Sequence, residues 1–100
     1  MYSEPREGVA LPKRIAVLVR ERQGEALRVA VGLTLKDDRV EVFVLDRRLE
    51  ATPENAANVA VLAEMEMRIA TNCAGNADLE LLSNGELARQ IAACDVIVPY

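Results

Sequence analysis

The sequence predicts an α/β domain: three layers, α/β/α, around a mainly parallel sheet of four to five strands. Three observations carry this. Short β-like runs alternate with helical runs along almost the whole chain. The runs at residues 13–20 and 40–45 are apolar nearly throughout, as in strands covered on both faces. Every change of period is marked by charge, Pro, Gly or a helix-capping residue.

Residues 1–12 contain two Pro and one Gly and show no period, so they read as a flexible N-terminal arm. Residues 13–100 form the predicted domain. Lys13-Arg14-Ile15-Ala16-Val17-Leu18-Val19-Arg20 is the first strand and the best candidate for the sheet centre. Glu25 to Lys36 is the first helix, with Leu27, Ala30, Val31 and Leu35 at helical spacing. Asp37-Asp38 ends it. Val40 to Leu45 is the second strand, and Asp46-Arg47-Arg48 is a charged loop beyond it.

Thr52 is the predicted N-cap of the second helix, with Pro53 at its first position and an end near Glu66. Between Asn55 and Ala63 this helix carries no charge. A surface helix normally has a charged outer face, so a second cover is expected, in so short a chain from another subunit. Met67 to Thr71 is the third strand, Leu79 to Leu82 a short fourth. Ser83 or Asn84 caps a helix through Ala93, and Asp95 to Pro99 is the last strand.

Composition narrows the function. The chain has 100 residues, 51% hydrophobic and 28% charged, which suits one globular domain. With one Phe, two Tyr and no Trp, the core must be aliphatic. The net charge of −4 and the lack of a basic, aromatic-studded stripe argue against direct nucleic-acid binding. There is no His, which removes imidazole metal sites and Ser–His or Cys–His catalysis within the chain. No metal and no cofactor is implied, since no glycine-rich phosphate loop follows the first strand. No apolar run approaches the ~18 residues of a membrane span, and the start lacks the apolar core of a signal peptide. A cytoplasmic protein is the expectation.

Cys73 is the candidate catalytic residue. It lies just past a strand's carboxyl end, where open α/β sheets place their ligands. Its neighbours Asn72, Ala74, Gly75 and Asn76 are small or polar and would let a reagent approach. A reactive thiol needs a nearby cation or another cause of thiolate formation; Arg47 and Arg48, beyond another strand end, are the candidates. A buried, inert Cys73 is the alternative reading. Cys94, among Ala92, Ala93, Val96 and Ile97, reads as core. The two cysteines are expected at opposite ends of neighbouring elements, too far apart for a disulfide. Arg20-Glu21-Arg22-Gln23-Gly24 reads as solvated charge, and Met65 and Met67 as core filler.

Three segments carry a family likeness. The first is Lys13-Arg14-Ile15-Ala16-Val17-Leu18-Val19 with the Ala-rich helix Glu25 to Leu33 and the strand Val40 to Leu45. The second is Met67-Arg68-Ile69-Ala70-Thr71-Asn72-Cys73. The third runs from Ser83 through Cys94-Asp95 to Val98. Together they resemble the DsrE/DsrF-like proteins, which include TusD-type sulfur-relay subunits. The resemblance implies a persulfide carried on Cys73 and passed between sulfur donor and acceptor proteins. It also implies a homo-oligomer (trimer or hexamer) or a hetero-oligomer with related subunits. The chain departs from the family in a shorter segment after the second strand. It departs again in having no Arg or Lys from Ala74 to Glu80, so that loop itself lends a thiolate little support. Some family members lack the cysteine and act as non-catalytic partner subunits. A non-catalytic oligomerisation or binding subunit therefore stands as the alternative, and a small-ligand module at the sheet's carboxyl edge as a third.

Overall fold

A computed structural model of the chain describes residues 13–36 and 38–100. The expected N-terminal arm at 1–12 lies outside the described residues. The elements are β1 (Arg14–Val19), α1 (Gln23–Leu33), β2 (Arg39–Val44), α2 (Pro53–Glu64), β3 (Arg68–Thr71), β4 (Glu80–Leu81), α3 (Asn84–Ala92) and β5 (Val96–Pro99). The five strands form one sheet in the order β4-β3-β2-β1-β5, and every neighbouring pair is parallel.

The central strand is β2, not β1 as its long apolar run suggests. β1 has a neighbour on each side, but the partner beyond it is the edge strand β5. Burial on both faces, which the apolar run does report, extends to both strands. Ile15, Val17, Val19, Val40, Val42 and Val44 face α1 and α2, where Ala26, Leu27, Ala30 and Leu62 meet them. Ala16, Leu18, Phe43, Leu45 and Ala70 face α3 and its Leu87. Period-two alternation sends successive side chains to opposite faces. With helices on both faces, both sets are buried, and the runs lose their polar half.

Local signals place the helices. Thr52 Oγ1 accepts the Asn55 N–H at 3.0 Å, and Pro53 opens α2. Ser83 and Glu86 form a reciprocal capping box on α3, each side chain accepting the other's backbone N–H at 3.2 Å. α1 begins at Gln23, two residues before Glu25, because the buried Gln23 side chain ties it to the β2–α2 connection. Its Nε2 donates to the Arg48 carbonyl at 3.0 Å and its Oε1 accepts the Glu50 N–H at 2.9 Å. α1 ends at Leu33, earlier than Lys36, with Thr34 as its C-cap and Leu35 85% exposed.

Arg68 grips Glu80 with Nε and Nη2, both at 2.9 Å, tying β3 to β4. This hydrogen-bonded pair holds the Glu80 carboxyl below its ordinary 4.5. A carboxyl depressed on folding stabilises the native state above its unfolded value and loses that contribution as pH falls through the folded one. Among the described residues, no helix is long and apolar enough to cross a membrane.

Candidate functional site

β3 delivers the chain to Thr71 at the carboxyl edge of the sheet, and Cys73 follows two residues later. Thr71 is fully buried, and its Oγ1 organises what comes next. It donates to the Val44 carbonyl at 2.7 Å, accepts the Cys73 N–H at 3.1 Å and accepts Asn76 Nδ2 at 3.0 Å. The Cys73 carbonyl accepts the Asn76 N–H at 3.0 Å, closing the turn.

Asn76 is buried and anchors the turn to the β2–α2 loop. Its Oδ1 accepts the Leu49 N–H at 2.8 Å and its Nδ2 donates to the Arg47 carbonyl at 3.1 Å. Asn72 makes the second anchor. Its Oδ1 accepts the Asp46 N–H at 2.8 Å; its Nδ2 donates to Asp46 Oδ1 at 3.0 Å and Asn84 Oδ1 at 2.8 Å. Asp46 sits at φ 68°, in the left-handed region that Asp tolerates better than most residues. The two asparagines, expected simply to leave room for a reagent, instead hold the cysteine loop to β2 and α3. Sequence offered only that Asn favours turns; their partners outside the cysteine loop and β3 lie 12 to 29 residues away.

Cys73 is half-buried and its thiol is free. Of the two candidate cations, Arg48 reaches this loop. A Cβ added at Gly75 would lie 2.8 Å from Arg48 Cγ and 2.9 Å from Cδ. The arginine is therefore laid across a glycine two residues from the thiol, where only the missing side chain makes room. Arg47 turns the other way, toward Glu21 at 3.9 Å. Replacing Gly75 by alanine should displace Arg48. The expected result is a several-fold slower reaction of Cys73 with a dianionic aromatic disulfide, with little change toward neutral iodoacetamide, because a nearby cation steers anionic reagents. Stopped-flow rates on wild type, Gly75→Ala and Arg48→Ala would check it.

Next to the loop is a cavity of about 420 Å³, lined by Arg48, Asn55, Val59, Gly75, Asn76 and Leu79, among others. A second, of about 310 Å³, lies at the carboxyl ends of β1 and β2 and is lined by Arg20, Glu21, Asp46, Arg47 and Tyr100. Arg22 pairs with Glu25 at 2.9 Å and lies over the Tyr100 ring at 5.4 Å; Arg20 to Arg22 are charged surface, as read from sequence, whereas Gln23, read with them, is buried.

Cys94 is also half-buried and free, packed against Leu18, Phe43 and their neighbours, with Sγ 3.5 Å from the Gln90 carbonyl. Burial, then the Glu41 charge, pushes its thiol up.

No protein-family model matches the chain, and no curated protein matches it. The crystal structure of the YchN protein from E. coli does, with a TM-score of 0.71 over 90% of this chain and 100% of that one. The fold is DsrE-like. Sequence identity to YchN is 12%, so the likeness is one of fold. On this DsrE-like frame, the loop after β3 combines a half-buried thiol, an arginine and an adjoining cavity.

Proposed function

We propose that the chain is a persulfide carrier that uses Cys73. The observation that carries this reading is the placement of Arg48 over Gly75, which brings to the cysteine loop a cation able to draw in an anionic persulfide donor. In the proposed reaction, the Cys73 thiolate attacks the terminal sulfur of a donor persulfide. The new bond is Cys73 Sγ–S; the donor's S–S bond breaks, and the donor leaves as a thiolate that takes up a proton. An acceptor thiolate then attacks the outer sulfur and releases Cys73. Sulfur changes hands twice, with no external oxidant or reductant.

Incubation with a persulfide donor should add the mass of one sulfur atom to wild type and to Cys94→Ser, but not to Cys73→Ser. Intact-protein mass spectrometry reads the result. Wild type that gains no sulfur, while Cys73 titrates as a free thiol, would refute the carrier.

A second reading has an observation of its own. On α2 only Asn55 and Leu62 are buried, while Ala56, Ala60, Ala63 and Val61 are exposed along an uncharged surface. We propose that copies of the chain, or related subunits, associate through this face. Multi-angle light scattering should find an oligomer at tens of micromolar that Ala60→Glu dissociates. A monomeric wild type would contradict it.

A further inference from the structure

At the opposite end of the sheet, Arg14, Arg39 and Arg68 line a cavity of about 300 Å³ together with Glu41 and Glu66. Glu41 is a carboxylate in the middle of the sheet and only 3% exposed. Its Oε2 accepts from Arg14 Nε at 2.8 Å. Its Oε1 is buried and, among the described residues, has no hydrogen-bond partner. Leaving a buried acceptor unpaired is costly, the more so for a charged one. Arg68 is occupied by Glu80 and, through Nη1, by Gln90 at 2.8 Å. Arg14 directs Nη1 to the Ala93 carbonyl at 3.5 Å, and Arg39 stands exposed at the rim.

Such a cavity suits an anion that brings a proton. The guanidiniums take the negative charge, and the unpaired carboxylate oxygen takes a hydrogen bond. We propose that it binds hydrogen phosphate, with anionic oxygens toward Arg14 and Arg39 and the P–O–H donating to Glu41 Oε1. Oε1 is closed to solvent, so entry requires one of the cavity's side chains to turn; Arg39 and Glu66 are both exposed. The acceptor sets the specificity. Sulfate has the same shape and no proton near neutrality, and would set oxygen against oxygen.

The test compares three dianions by isothermal titration calorimetry on the full chain at low salt. At about pH 8, inorganic phosphate still holds one proton, whereas sulfate has none and methyl phosphate has lost its own, the second pKa of a phosphomonoester being about 6. Phosphate should bind at least about tenfold more tightly than either. Glu41→Gln, whose amide also donates, should abolish or reverse that preference, and Arg39→Ala should weaken phosphate binding. Three dianions bound alike, no binding of phosphate, or a preference that survives Glu41→Gln would each overturn the proposal. Should Glu41→Gln fail to fold by circular dichroism, the wild-type ratio and Arg39→Ala still decide.

Discussion

Replacing Asn76 by leucine should lower stability by about 3 kcal/mol or more, because it strips partners from three groups at once. The Leu49 N–H, the Arg47 carbonyl and the Thr71 hydroxyl all lose the side chain that pairs with them. Leucine branches at the same carbon but is larger, so crowding at this buried position adds to the loss of hydrogen bonds. For a domain of this size, ~1 kcal/mol moves Tm by roughly 4–8 °C, so a fall of roughly 12 °C or more is expected. Hydrogen exchange should also quicken at the Leu49 amide. An unchanged Tm would mean that the turn holds the Cys73 loop without this network.

Phe43→Ala should cost about 3–5 kcal/mol. Among the described residues Phe43 is the largest fully buried side chain; it sits on the central strand, where Leu18, Leu45 and Leu87 pack with it on the α3 face. A small domain has about 5–15 kcal/mol in total, so denaturant melts should find the variant near the edge of folding. Phe43→Leu should retain most of the stability. Equal losses for both variants would mean that ring shape, not buried volume, sets the packing.

What the sequence discloses and what it hides divide along the distance between partners. Thr52-Pro53 and Ser83-Glu86 act within three residues, and both helix starts lie where those signals put them. The alternation of apolar strands and helices is also local, and the expected three-layer parallel sheet is the one observed. The position of Cys73 past β3 follows from the same pattern. Gln23, Glu41 and Asn76 are another matter. Each reads as an ordinary polar residue, and each is buried against a partner 25 to 29 residues away. Glu41 did leave a trace, as the one charge past Arg39 in an otherwise apolar strand whose neighbours begin with Arg14 and Arg68. Arg48 could be named as a cation, but only the fold lays it on Gly75.

We propose that Cys73, held at the carboxyl edge of a DsrE-like sheet, carries sulfur. The most direct measurement loads the chain from a persulfide donor, caps it with an alkylating bimane, digests it and reads each cysteine peptide by mass. The expected result is one extra sulfur on the peptide containing Cys73, none on that containing Cys94, and loss of the label when an acceptor thiol is added before capping. Extra sulfur on the Cys94 peptide, on both alike or on neither would contradict it.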